Sequence, residues 1–314
     1  MRAVFGGGMT FEDEDLTAAA GRAQYDPGGG SLTLDGEDAR GAPRVEDSRI
    51  SVSAEYILLA IDSHVITARG HVETALREEP EGGQLPGFLD RSQAARISAE
   101  RFTYGGRGGQ VVYEGTVQLW QGETIIRSDR LLLDQQTGNL DATGAARATL
   151  TLASGTMVGR ADSIHYVDST RSVEYGPQVM EAVSDTGGVS SGDSDVRTSQ
   201  LIGPMGDLRA DRIVLTLDTD SQSLAQLKAT GRLFLKVDTR IVRGRRLSHA
   251  VAEDRYEFEG MSGAPVTVTQ GCDFISGRRL TWFRGTDRML VDGREDIRTK
   301  TRSRGGPCTE QVSF

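Results

Sequence analysis

Residues 127–144 read Arg127-Ser128-Asp129-Arg130-Leu131-Leu132-Leu133-Asp134-Gln135-Gln136-Thr137-Gly138-Asn139-Leu140-Asp141-Ala142-Thr143-Gly144. Leu131 and Leu133 alternate on one side of the polar run Gln135 to Gly138, and Leu140 and Ala142 alternate on the other. Alternation at period two places side chains on one face of a strand. A short polar run ending in Gly reverses the chain. The stretch is therefore a β-hairpin with one apolar face. It opens on a small residue, Ser128, and closes on Gly144, 16 positions later.

The same hairpin recurs along the chain. Small anchors and closing glycines pair as Ala20–Gly36, Ala54–Gly70, Ala99–Gly115, Ser128–Gly144, Gly244–Gly260 and Gly277–Gly293, each 16 apart. Ala161–Gly176 is spaced at 15 and Ala210–Gly231 at 21, which makes eight units in all. Three and five positions after the anchors stand Ala23/Tyr25, Ile57/Leu59, Phe102/Tyr104, Leu131/Leu133, Ile164/Tyr166, Ile213/Leu215, Leu247/His249 and Leu280/Trp282. Returning strands repeat the phase, as in Val111/Tyr113 and Leu227/Ala229. One position after the anchor the chain carries Glu55, Glu100, Asp129, Asp162 or Asp211, so charge lies on the opposite face. The closing glycines are expected to permit a bend or bulge where one unit passes to the next.

Two inserts interrupt the rhythm. Residues 77–94 read as an acidic loop, and residues 181–207, poor in apolar side chains, read as a mobile loop or a linker. The repeat resumes in the same style after the second, which favours a loop and one continuous array over residues 1–314.

Composition sets the outer bounds. The chain has 314 residues, 39 of them Gly and 8 Pro, and a formal net charge of −9. That balance argues against a nucleic-acid partner, because little would neutralise a phosphate backbone. No apolar run approaches the ~18 residues of a membrane-spanning helix. Nothing in Met1 to Phe11 resembles a signal peptide. His64, His71, His165 and His249 are scattered without metal-ligand spacing, and neither a nucleophile-elbow motif nor a phosphate loop occurs. The expectation is a non-enzyme without metal or cofactor. Cys272 and Cys308 are either two unpaired small residues or a disulfide pinning the C-terminal tail, the latter requiring an oxidising compartment.

About sixteen antiparallel strands with one apolar face suit a two-sheet stack or open jelly roll around an apolar interior. A membrane barrel fits less well, since one face is charged and aromatics are only 6% of the chain.

The run Arg96-Ile97-Ser98-Ala99-Glu100-Arg101-Phe102-Thr103-Tyr104, with Val111-Val112-Tyr113-Glu114-Gly115-Thr116-Val117-Gln118-Leu119, resembles the OstA-like (LptA/LptC) periplasmic proteins of lipopolysaccharide export. So do Leu208-Arg209-Ala210-Asp211-Arg212-Ile213-Val214-Leu215 and Gly277-Arg278-Arg279-Leu280-Thr281-Trp282-Phe283. The resemblance implies an elongated, twisted β-jelly roll whose hydrophobic groove shelters the acyl chains of lipopolysaccharide or a related lipid. It implies other OstA-like proteins as partners, joined through edge strands, and a periplasmic location. Such a location needs an export route, so Met1 is read as the start of a segment cut from a longer chain.

Candidate groove residues are Ile57, Leu59, Phe102, Tyr104, Val111, Tyr113, Leu131, Leu133, Ile164, Tyr166, Ile213, Leu215, Leu280 and Trp282. The aromatics among them can line a cavity and still reach a headgroup with a polar edge. The competing reading is a solid core, in a structural or carbohydrate-binding β-repeat protein. Structural glycines are Gly36, Gly70, Gly115, Gly144, Gly176, Gly231, Gly260 and Gly293. The basic runs Arg240/Arg243/Arg245/Arg246 and Arg294/Arg298/Lys300/Arg302/Arg304 read first as solvated faces, and second as sites for lipid phosphate or an anionic surface.

Overall fold

The computed structural model describes residues 2–13, 16–38, 41–77, 84–105, 109–177, 198–218, 223–261, 263–292 and 300–302. Among these it holds 26 strands, three short 3-10 turns and no α-helix. No helix among the described residues is long and apolar enough to cross a membrane. The chain forms two compact units, Met1–Leu150 with His165–Arg171, and Thr151–Ile164 with Ser172–Phe314.

The first unit uses β1 (Ala3–Asp13), β2 (Leu16–Asp26), β3 (Ser31–Asp35), β4 (Arg44–Glu46), β5 (Ile50–Ser53), β6 (Tyr56–Ala60), β7 (Val65–Leu76), β8 (Ala95–Gly105), β9 (Gln110–Gln121), β10 (Thr124–Asp134), β11 (Asn139–Thr143) and β12 (Arg147–Leu152). They pair antiparallel in two ladders. One runs β2-β3-β6-β7-β8-β9-β10-β11. The other runs β1-β2-β4-β5-β7-β8-β9-β10-β12.

Strands β2, β7, β8, β9 and β10 belong to both ladders. In β7, Val65–Arg69 pairs with β6, whereas Val72–Leu76 continues into the sheet that holds β5. Register breaks between Arg69 and Val72 as the strand changes sheet. Equivalent breaks lie between Ser98 and Arg101 of β8 and between Ser128 and Arg130 of β10. Strands that bend from one sheet to the other through bulges make the corner of a two-sheet β structure.

The second unit repeats the plan with β13 (Gly155–Arg160), β14 (Ser163–Val167, shared at its end with the first unit), β15 (Ser172–Gly176), β16 (Ser199–Gly203), β17 (Gly206–Ala210), β18 (Arg212–Leu217), β19 (Leu224–Val237), β20 (Arg240–Ala250), β21 (Arg255–Glu259), β22 (Val266–Gln270), β23 (Asp273–Gly277), β24 (Arg279–Phe283), β25 (Arg288–Asp292) and β26 (Lys300–Arg302). Its ladders run β15-β18-β19-β20-β21-β24-β25 and β13-β16-β17-β19-β20-β22-β23-β26. Here β19 and β20 cross between sheets, with a register break between Thr230 and Leu233.

The all-β, antiparallel hairpin fold expected from sequence is the one observed. The expected count of about sixteen strands is too low. The segments between a closing glycine and the next anchor also pair, as in Arg44–Glu46 with Ile50–Ser53 and Val266–Gln270 with Asp273–Gly277. Three to five residues give too few alternations to stand out in sequence, and only the partner ladder reveals them.

The corners explain the spacing of anchor and glycine. Gly70, Gly115, Gly144 and Gly231 adopt left-handed φ of +79°, +80°, +83° and +100°. A Cβ on these four would collide with Glu55, Glu100, Asp129 and Asp211 respectively. The acidic residue after each of these four anchors is thus folded over its closing glycine, whereas Asp162 is not over Gly176. At three of the four the carboxylate also serves the residue that follows the glycine. Glu55 Oε1 is 2.6 Å from His71 Nδ1, Glu100 accepts from Thr116 Oγ1 at 3.4 Å, and Asp211 accepts from Arg232 N and Nε at 3.1 and 2.8 Å. In the first unit of the repeat the acidic position is Gly21, where any side chain would strike the Glu37 carbonyl.

Gly176 and Gly260 do not take left-handed φ. Gly260 is held by close approach instead, since a Cβ there would come 2.7 Å from the Ala264 O and Val266 N atoms. Gly293 lies outside the described residues.

Candidate functional site in the interior and at its mouth

Alternation delivers the inner face to the core of each unit. Ile57, Leu59, Phe102, Tyr104, Val111, Tyr113, Leu131, Leu133 and Tyr166 are buried in the first unit. Ile164, Ile213, Leu215, Leu280 and Trp282 are buried in the second. Burial of so many aliphatic and aromatic side chains is the main driving force for the fold.

Polar groups inside are few. In the first unit the Tyr113 hydroxyl is 2.8 Å from Thr74 Oγ1, and the Tyr113 ring lies 5.2 Å from that of Phe102. Burial pushes the Tyr113 phenol up. In the second unit the buried Tyr175 hydroxyl has no hydrogen-bond partner among the described residues. Burial pushes its phenol up as well.

Each unit is folded at its corners, and the hairpin turns of its two ladders come together elsewhere, at what we call the mouth. In the first unit the mouth is strapped by residues 84–93, the second half of the insert read from sequence as an acidic loop. Leu85, Phe88 and Leu89 of this strap are buried, and the Phe88 ring meets that of Tyr166 edge-on at 4.8 Å. One ladder contributes Gln121, whose Oε1 accepts from Asp90 N at 2.6 Å and whose Nε2 donates to the Asp90 and Gln93 carbonyls at 2.9 and 2.7 Å. From the other side, Gly87 N donates to Asp168 Oδ1 at 2.9 Å, Arg171 Nη2 donates to Gly87 O at 3.1 Å, and Gln84 N donates to Gln135 O at 2.7 Å. Tyr166 Oη also donates to Asp168, at 2.9 Å. Its phenol is pushed up, first by burial and then by the Asp168 carboxylate. The acidic half of the insert, residues 78–83, lies outside the described residues.

In the second unit the mouth is bridged by charge. Arg240, at the start of β20, forms a two-pronged ion pair with Asp287 in the β24–β25 turn, with Nη2 to Oδ2 at 2.8 Å. Arg284 of that turn lies 3.8 Å from Asp238 in the β19–β20 turn and donates to the Pro204 carbonyl at 3.3 Å. Beneath them Trp282 packs on Tyr256 at 5.2 Å, and Tyr256 stacks on His249 at 3.8 Å. Burial holds the His249 imidazole below its ordinary range, against the pull of Asp254.

The solvated-face reading of Arg240 is corrected by this arrangement. Its side chain is only 17% exposed and its guanidinium lies 5.2 Å above the Trp282 ring. Arg243 lies 5.4 Å above Phe234, and Arg246 remains 73% exposed beside Glu259. In the second basic run Arg294, Arg298 and Arg304 lie outside the described residues, as does Cys308. Cys272 is disulfide-bonded. The strap and the two bridging ion pairs are features of the mouths that sequence reasoning missed. The one available signal was the apolar triplet Leu85, Phe88 and Leu89 within an otherwise polar insert.

Comparison with known proteins gives two findings. Residues 96–194 match the family model described as LptA/(LptD N-terminal domain) LPS transport protein. Among solved structures, the chain is similar to LptH, the LptA-homologous periplasmic component of the lipopolysaccharide transport device of Pseudomonas aeruginosa. That match has 15% sequence identity and a TM-score of 0.34, and covers 41% of this chain and 82% of that one. No curated protein matches this chain.

Proposed function

We propose that this chain, OstA-like and matched to the lipopolysaccharide-transport family over residues 96–194, is a periplasmic bridge that shelters acyl chains in the interior of its β-units. The observation that carries the reading is the inner face itself. Apart from His249 it is apolar at the alternate positions of the outgoing strands, and it is buried in both units. Sheltering one CH2 group from water is worth about 0.8 kcal/mol, so a twelve-carbon chain gains on the order of 10 kcal/mol. Similar aliphatic sites repeated along the hairpins give little reason for a chain to stop at any one of them.

Two further observations support the reading. The unpartnered Tyr175 hydroxyl is costly in a core that is merely filled, and a polar group of a guest would satisfy it. The disulfide at Cys272 suits an oxidising compartment such as the periplasm.

We also propose end-to-end association with other OstA-like proteins through edge strands. Among the described residues β1 pairs with β2 alone, and Val4 and Phe5 on it are 61% and 46% exposed. An edge of this kind offers unpaired N–H and C=O groups for strand addition.

A photo-crosslinking residue at Phe102 or Leu215, with Thr103 as an outward control, tests the lipid reading in cells. Capture of lipopolysaccharide at the two inner positions and not at Thr103 is expected. Equal capture at all three, or none, sinks it in favour of a solid-core β-repeat protein.

A further inference from the structure

The mouth of the second unit contains a cleft of about 330 Å³ lined by Asp238, Thr239, Arg240, Gln270, Trp282, Arg284 and Asp287. Its volume falls at the lower end of small-ligand sites. The walls are polar and the floor is the Trp282 ring, which continues through Tyr256 into the apolar interior.

The cleft is already built around oxyanions. Both carboxylate oxygens of Asp287 engage the fork of Arg240, the planar two-pronged geometry in which a guanidinium also takes phosphate. Arg240 is positioned before any ligand arrives. Its Nε donates to Gln270 Oε1 at 2.9 Å, and Gln270 Nε2 donates to Thr239 Oγ1 at 3.3 Å. The second guanidinium, Arg284, faces Asp238 more loosely at 3.8 Å. Asp287 and Asp238 are 62% and 75% exposed, and Asp287 also accepts from Trp282 Nε1 at 3.4 Å, so its exchange for a phosphate oxygen would be felt at the Trp282 ring. With those bonds made, the Thr239 O–H and the second Nε2 proton of Gln270 remain as donors of the kind that pair with sugar hydroxyls.

We propose that this cleft takes the phosphorylated sugar headgroup of an amphiphile whose chains enter the second unit, Arg240 and Arg284 exchanging Asp287 and Asp238 for phosphate oxygens. The proposal rests on the lipid-sheltering reading above and adds where the headgroup is held. It also gives the two ion pairs a purpose, as place-holders that keep the mouth shut and both arginines solvated in kind until a stronger anion displaces the carboxylates.

The test uses the full chain carrying Trp120→Phe, which leaves Trp282 as the sole tryptophan reporter. It is titrated with detergent-dispersed bisphosphorylated lipid A, the same lipid without phosphates, glucosamine 1-phosphate and inorganic phosphate. Trp282 fluorescence is expected to change with lipid A, and binding to weaken about tenfold when the phosphates are removed or when Arg240→Gln or Arg284→Gln is introduced. Asp287→Asn, which leaves both arginines in place and removes the competing carboxylate, is expected to tighten binding. A merely structural ion pair would not produce that gain. If the phosphate-free lipid binds as tightly and no substitution alters affinity, the headgroup site is wrong while the lipid reading stands. Competition by inorganic phosphate as strong as that by glucosamine 1-phosphate reduces the cleft to a phosphate site and overturns the sugar assignment. If neither lipid binds, both readings fall.

Discussion

Gly231 shows how one residue fixes a corner. Its φ of +100° is open to Gly and strained for any side chain, and the Asp211 carboxylate fills the space a Cβ would need. Gly231→Ala is expected to cost about 1–3 kcal/mol, read as a lower urea midpoint with unchanged slope. Gly122, at φ +56° with open space around it, should cost less when changed to Ala. His249 offers a second residue-scale test. Asp254, Arg284 and Tyr256 surround it, and burial keeps it neutral in the fold. The unfolded chain therefore binds a proton that the folded chain refuses, so stability falls as pH drops below the ordinary histidine value of 6.5. Urea midpoints measured from pH 7.5 down to 5.5 should show this decline, and His249→Phe, which keeps the stack on Tyr256, should flatten it.

At the scale of elements, the anchor-to-glycine hairpins were readable because they repeat. Ile57, Leu59 and Leu131, Leu133 alternate long enough for period two to be unmistakable, and their partners across the ladder carry the same phase. The strap over the first unit was not readable. Its sequence, Gln84 to Gln93, has no period, and its contacts come from Gln121, Asp168 and Tyr166, which lie 28 to 81 positions away. Phe88 is the element's main apolar anchor, and Phe88→Ala is expected to destabilise the first unit by about 3 kcal/mol. Hydrogen exchange should then rise at the Gly87 and Asp90 amides, which donate to Asp168 and Gln121. Unchanged protection there would mean that the polar contacts alone hold the strap.

On the scale of the molecule, the proposed lipid capture would belong to no single residue. Each inner position is one step of a face shared by many strands, and Phe102 and Leu215 sample that face in different units. The two units close their mouths by different means, a packed strap in one and bridging ion pairs in the other. The Phe88 strap covers Tyr166, one of the residues singled out from sequence as a groove candidate, whereas the cleft above Trp282 is lined by polar side chains.

The amino-acid sequence by itself determined the all-β class, the hairpin repeat and the identity of the inner face, because alternation and turn chemistry are local. It also placed an acidic residue after most anchors, without saying why. Tertiary structure alone decided that four of those carboxylates cover the closing glycines, that long strands serve two sheets, and that Arg240 lies over Trp282 rather than in water. Each of these depends on the close approach of residues distant in sequence. No local pattern encodes that distance, and only packing of the two ladders sets it.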